Sequence, residues 1–481
     1  MRRHWIAALL LALILALSQA AAAELAGPQL DAAGLRAARG AGSGFQLRLV
    51  FDLRRGDAAP APLIVLIGID YVDIAEGGRE TLYDFRLRRR LALDRASRVF
   101  ANFSLYGDLS FRHFELEKRV MLAQMFAEAA PGEAPPLSLR PFWVESDLGL
   151  SSGAKAPAMQ VEKLADGALR FRADGQEAAL FAPASQAVPE ELRKSFAHFL
   201  RARLPLHPTI LAAIEGDGRL PQRLVFVTVT DSERRPVGLV LRKAGTMTAD
   251  YPLPETFEPR QLAGQAEDQE AASLRGLLPL MLDAAAGRRG NGPRSLVDYR
   301  RAVDQDLRQR RDFAAAMLLA EMALQYGTRA GDCTVGPGWV PCHGAEELGP
   351  RLARDRRAAV LYKARTAEPK EPEAAVKLWE SLKREEVPNG YVIDAFLADR
   401  LSAAGHRQDA MGAFAHALEG NPYLAGVYKE LGDHFLRGSR TELAWICYDL
   451  GRALPGRDRA DPLADVDELE QKLAAAFPDF F

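Results

Sequence analysis

Residues able to do chemistry are scattered through this 481-residue sequence, and few stand at a spacing that a reaction or a metal would need. Cys333 and Cys342 bracket a Gly/Pro-rich stretch, and His343 follows the second of them. Attachment of a c-type haem needs two residues between the cysteines and eight stand here, so the pair is expected to be a disulfide closing a short loop. Such a crosslink contributes on the order of 2–3 kcal/mol by restricting the unfolded chain. The third cysteine, Cys447, lies beside Trp445 and Tyr448 in an apolar helical run and is expected to be buried and free.

Asp70, Asp73 and Glu76 follow the continuous apolar run Leu63 to Ile69, with Gly77-Gly78 behind them. Acidic groups at the end of a buried strand suit a general acid or base, or a calcium ligand; polar turn residues are the plainer reading of the same place. His113, His198, His207, His343, His406, His416 and His434 give no two-on-one-face ligand spacing, so no metal site is expected. Neither a Gly-x-Ser-x-Gly elbow nor a phosphate-cradling Gly-x-x-x-x-Gly-Lys occurs. No catalytic residue is assigned on that basis and no cofactor is expected.

The elements that must carry these residues divide the chain into unlike halves. A length of 481 residues with 26% charged side chains allows two or three domains. The net charge of -2 gives no electrostatic case for nucleic acid or for an anionic membrane surface. Residues 1–23 have a basic start, Arg2-Arg3, then the apolar run Trp5 to Leu17, then small residues to Ala23. That is the pattern of a cleaved signal peptide, and the apolar run is shorter than the ~20 residues a membrane span needs. Export is therefore expected, and the Ala/Arg/Leu-rich composition points to the periplasm of a Gram-negative bacterium. No membrane association is expected after cleavage.

Residues 24–44 are Ala/Gly-rich and are expected to be a flexible linker. From Phe45 the apolar period is two. Leu47, Leu49 and Phe51 alternate with polar or outward positions, and Leu63 to Ile69 suits a buried strand. Leu82 to Leu93 is expected to be one strand, with Arg86, Arg88 and Arg90 on a solvated face. Val99 to Leu105 continues the sheet, and a helix is expected after Arg119. Pro131 to Pro157 is expected to connect without regular structure. Strands at 159–163, 169–173 and 178–182 are separated by Asp166-Gly167 and Asp174-Gly175, strong hairpin signals. Helices at 190–200 and 208–214 and a final hairpin, 224–229 with 237–241, complete a domain over 45–255. Its expected class is α+β with a mostly antiparallel sheet, divided into two lobes near residue 150.

Beyond Pro252, Pro254 and Pro259 the period becomes 3.6, and residues 262–481 are expected to be all helical. Within them, 391–456 repeats itself at an offset of 34 residues. Leu397 falls on Leu431, Ala398 on Gly432, Leu401 on Phe435, Ala410 on Ala444 and Phe414 on Tyr448. Ala375 and Trp379 precede Ala410 and Phe414 by 35, which marks a degenerate copy upstream. This register resembles the tetratricopeptide repeat, in which antiparallel helix pairs stack on their neighbours. It departs from that family at Asp394, where an aromatic is usual. The resemblance implies that Leu397, Ala398, Ala410, Phe414, Leu431, Gly432, Ala444 and Tyr448 are packing positions. It also implies that the first helix of each pair lines a groove, with Asp399 and Ser402 outward in one copy and Lys429, Asp433 and Arg437 in the next. The four-residue spacing of the last three equally suits an exposed charge ladder. Helix 463–475 is expected to cap the stack.

The expectation for the whole is an exported interaction protein, with a protein partner in the repeat groove. A hydrolase or other enzyme with its active site in the α+β half is the alternative.

Overall fold

The computed structural model describes residues 31–152, 159–173, 175–230, 233–259, 268–290, 292–327, 352, 354–366, 372–385, 387–455 and 462–481. Cys333, Cys342 and the N-terminal apolar run lie outside the described residues. By its contacts the chain forms two units, one of Leu30–Pro259 with Lys472–Phe481 and the other of Arg260–Gln471. An antiparallel-dominated sheet domain is thus followed by a run of helices. No helix among the described residues is long and apolar enough to cross a membrane.

The first unit begins with α1 (Ala32–Arg39), where a flexible linker was expected. Asp31 caps it by accepting from the Gly34 N–H, Gly40 ends it in the left-handed region at φ 67°, and Ala32 and Leu35 are buried. The Asp cap and the glycine stop outweigh the Ala/Gly composition on which the linker expectation rested.

Strands β1 (Gly44–Arg55), β2 (Ala61–Gly68), β3 (Tyr71–Glu76), β4 (Arg79–Asp84), β5 (Arg89–Asp94) and β6 (Val99–Ser104) form an antiparallel meander. The single strand expected over Leu82 to Leu93 is instead β4 and β5, joined by a turn. Asp84 accepts from the Leu87 N–H, Arg88 takes φ 55°, and the chain reverses without glycine or proline. The turn from Asp94 to Arg98 repeats this chemistry: Asp94 accepts from Ser97, and Arg98 has φ 56°.

Helix α2 (Leu105–Ala129) starts well before Arg119, capped by Ser104, and α3 (Pro141–Leu148) occupies part of the stretch expected to be irregular. Strands β7 (Gln160–Lys163), β8 (Leu169–Ala173) and β9 (Gln176–Ala187) precede helices α4 (Arg193–Arg203) and α5 (Pro208–Asp217). The long hairpin of β10 (Arg219–Thr230) and β11 (Glu233–Ala249), then the short β12 (Glu258–Pro259), complete the unit. β11 pairs with β1 and β12 runs parallel to β6, so all twelve strands form one sheet in the order 12-6-5-4-3-2-1-11-10-9-8-7. The expected division into two lobes near residue 150 is not present, because β10 joins β9 to β11 across it.

Strand alternation builds two cores on opposite faces. Leu47, Phe51, Val65, Val72 and Ile74 face a core completed by Phe142, Phe196, Phe199 and Ile210 from the helices. Tyr71, Leu82, Leu91 and Phe100 face the other way, under α1 and the segment Tyr251–Phe257.

The second unit contains α6 (Gln269–Ala285), α7 (Leu296–Arg308), α8 (Asp312–Tyr326), α9 (Arg356–Thr366), α10 (Pro372–Lys383), α11 (Tyr391–Ala403), α12 (Arg407–Gly420), α13 (Ala425–Arg437), α14 (Thr441–Arg452) and the start of α15 (Ala464–Ala476). α7 packs on α8, α9 on α10, α11 on α12 and α13 on α14, a succession of antiparallel hairpins. α6 lies against α12 and α14, and α8 against α13. Trp445 donates to Glu470 at 2.7 Å and Arg452 pairs with Asp467 at 2.5 Å, so the polar face of α15 is held to α14. Lys472–Phe481, by contrast, belongs with the first unit.

Candidate functional site

The eight packing positions implied by the 34-residue repeat are all buried. Gly432 shows why small residues stand there: a Cβ at that position would overlap the Tyr448 ring. Gly420 acts in the same way. It is the last residue of α12 rather than a left-handed stop, and Tyr391 packs on its Cα. Asp394, where the family has an aromatic, is buried and pairs with Lys383 of α10 at 2.6 Å, so an ion pair joins two hairpins at that point.

The outward positions of α11 and α13 come together on one face. Lys429 and Asp433 are bonded at 2.8 Å along α13, as a ladder would have them. Arg437 does not continue that ladder. It crosses to α11, where its Nη2 donates to Ser402 Oγ at 2.9 Å and approaches Asp399 at 3.4 Å. The Tyr448 hydroxyl donates to Asp433 at 2.6 Å. Asp399, Ser402, Lys429, Asp433 and Arg437 therefore form two bonded groups, Lys429 with Asp433 and Arg437 with Ser402 and Asp399; Ser402 is buried, Asp399, Lys429 and Asp433 are half-buried and Arg437 is exposed.

Glu430 is the member that sequence reasoning missed. Burial, then the nearby Asp399 charge, pushes its carboxyl up to about 7 from an ordinary 4.5. Burial opposes the charge on Lys429, but Glu430 and Asp433 outweigh it and hold the ammonium above its usual range. Glu430 lies one turn beyond Gly426 on the same helix face. A Cβ at Gly426 would stand 3.0 Å from the Leu324 carbonyl of α8. The chain's own α8 thus covers the beginning of this face and leaves the polar patch beyond it.

Ser402 Oγ also lies 2.8 Å from His434 Nδ1, and His434 Nε2 is 3.9 Å from Glu270. A serine, a histidine and a carboxylate in sequence suggest nucleophilic catalysis, but three facts oppose it. His434 is fully buried, Arg437 already donates to Ser402 Oγ, and Glu270 is engaged by Arg407 at 2.6 Å. Burial and then the Arg407 charge drive His434 down to about 4, so it stays neutral and serves as a bond between hairpins.

The acidic residues after the most apolar strand do not converge. Asp70 sits in the β2–β3 turn at φ 60°, its N–H donating to Ser195 Oγ at 3.0 Å. Asp73 is buried beside Glu80, which Arg95 grips at 2.6 Å. Burial, and then the Glu80 charge, raises Asp73 from 3.8 to about 8. Glu76 instead pairs with Arg55 and Arg203; burial opposes its ionisation, and the two guanidinium bonds overcome that and lower its pKa. No group of three or more ligating side chains that could hold a metal ion occurs among the described residues.

Of the arginines expected on a solvated strand face, Arg86 and Arg88 lie exposed in the β4–β5 turn and only Arg90 stands on a strand, half-buried. Arg88 bonds the Tyr106 hydroxyl, while Arg90 pairs with Asp108 at 2.8 Å and lies over Phe103.

A cleft of about 350 Å³ opens between α4, α5 and the chain end, lined by Arg193, Lys194, His198, Arg201, Glu215 and Phe481 among others. Arg201 pairs with Glu215 and Arg193 with Glu190. Burial holds His198 at about 3, with Lys194 and Arg201 adding to the effect, so it is a poor general base. The buried pair of His207 and Glu145, 2.9 Å apart, is structural: His207 also caps α5 by accepting from the Thr209 N–H.

Comparisons with family models, with curated proteins and with solved structures found no match.

Proposed function

We propose that this chain is an exported, non-enzymatic interaction protein. Its helical unit works as a short tetratricopeptide-like array, and the polar face of α11 and α13 receives an extended or helical segment of a protein partner. The observation that carries the reading is Arg437 leaving its own helix to bond Ser402 and approach Asp399. That crossing ties Arg437 of one repeat to Ser402 and Asp399 of the other, and with the Lys429–Asp433 pair on α13 it makes a surface of mixed charge. Removal of the signal peptide would leave the protein in the periplasm of a Gram-negative bacterium. The α+β unit then supports the array or holds a second ligand.

The test is affinity recovery from a periplasmic extract of the native host, using the tagged full chain. Wild type and a Lys377→Glu control on α10 are expected to recover the same partner, and Lys429→Glu/Arg437→Glu to lose it while keeping its helical circular dichroism. Equal recovery by the double variant would remove the polar face from the account.

A further inference from the structure

Helix α2 outruns the domain that anchors it. Its buried residues end at Leu116, and the turns that follow leave large apolar side chains in solvent. Met121 is 52% exposed, Leu122 37% and Met125 57%, and Phe111, before Leu116, is 46% exposed. Contiguous exposure on this scale is unusual unless a partner covers it.

The spacing on this helix is specific. Phe111, Phe114, Lys118, Met121, Met125 and Glu128 follow one another at intervals of three, four, three, four and three residues. That is the seam of a two-stranded coiled coil, with Phe111, Lys118 and Met125 at one of its two core positions and Phe114, Met121 and Glu128 at the other. In an antiparallel pair each residue of the first kind faces one of the second. With the two-fold axis at Ala123, Met121 lies opposite Met125 of the other copy, and Lys118 lies opposite Glu128. Both pairings then occur twice by symmetry, as an isologous interface requires.

We propose that the end of α2, from Glu117 to Ala129, is a self-association surface, and that its occupant is the same segment of a second copy in antiparallel register. Lys118 and Glu128 select this occupant. Lys118 is exposed and, among the described residues, bonded only to Glu115, 3.1 Å away on its own helix, so it can exchange partners. A membrane is a poorer fit, since Glu128 sits in the apolar seam and the flanks carry Glu115 and Glu117 where an interfacial helix carries lysine and arginine. The overlap is about three and a half turns and covers about half of the ~800 Å² per partner usual in a stable complex. The dimer is accordingly weak and concentration-dependent, with a dissociation constant of roughly 1–100 μM.

Sedimentation equilibrium on the full chain tests this. Lys118→Glu and Glu128→Lys should each raise the dissociation constant at least about tenfold, because attraction becomes repulsion at two symmetric places. Mixed in equal amounts, the two variants should dimerise as wild type does, since each then supplies the charge that the other lacks. Three results would overturn the proposal: a monomer up to about 100 μM, a dimer indifferent to either reversal, or a monomer that co-sediments with phosphatidylglycerol vesicles through Met121 and Met125.

Discussion

Asp73 makes the strongest claim of any single residue. It is buried on the face of the sheet that α1 covers, and burial with the neighbouring Glu80 charge lifts its carboxyl from 3.8 to about 8. The folded state therefore holds a proton that the unfolded state releases, and stability is greatest below the unfolded value and falls as pH rises toward 8. Asp73→Asn keeps the shape and a donor for Glu80 while removing the charge. Its melting temperature is expected to exceed that of wild type by several degrees at pH 8, with the gap closing toward pH 4. A gap that does not change with pH would show that Asp73 is ionised in the fold. The sequence singled out Asp73 by its place after a buried run but could not tell which way it points, because a one-residue change of register exchanges the two faces of a strand. Glu430 was missed for a related reason: its raised carboxyl depends on burial and then on Asp399, which the preceding hairpin brings within reach.

Turns and helix ends decide most of what was legible at the level of elements. Helices α8, α11 and α14 begin at Asp312, Tyr391 and Thr441 with no side-chain cap on any of them, so their starts follow from the apolar period and, for α11, from Gly390 before it. The turn between β4 and β5 was invisible, since Phe85-Arg86-Leu87-Arg88 keeps an alternating pattern while the backbone reverses. Its true marker is Asp84, a side-chain acceptor three residues before Leu87, and the same device recurs at Asp94. Within the helical pairs, Gly405 turns the first hairpin at φ 85°, and Ser439, 34 residues on, turns the second at φ 57°. A serine held in the left-handed region costs about 1 kcal/mol relative to glycine, part of which returns as unfolded-state entropy. Ser439→Gly is expected to stabilise the helical unit by about 0.5 kcal/mol, read as a higher urea midpoint with an unchanged slope. A lower midpoint would mean that the serine makes a bond worth more than its strain.

On the scale of the whole molecule, the change of period near Pro252 located the change from sheet to helices, while the twelve-stranded topology stayed hidden. Pairing of β1 with β11 joins residues almost 200 apart, and nothing local in either strand names its partner. The repeat was legible for the opposite reason: within 391–456 each helix packs chiefly on the helix next to it in sequence, so the packing residues recur at a fixed spacing. The proposed function rests on the face that those pairs present together, and a probe placed on its rim interrogates that face directly. A photo-crosslinking residue at the exposed Ala403, one turn beyond Asp399 on α11, is to be compared in the native host with one at Lys377 on α10. We predict a discrete protein adduct from position 403 that disappears when Lys429 and Arg437 are reversed in charge, and none from position 377. Adducts from neither position, or the same adducts from both, would contradict partner binding at this face.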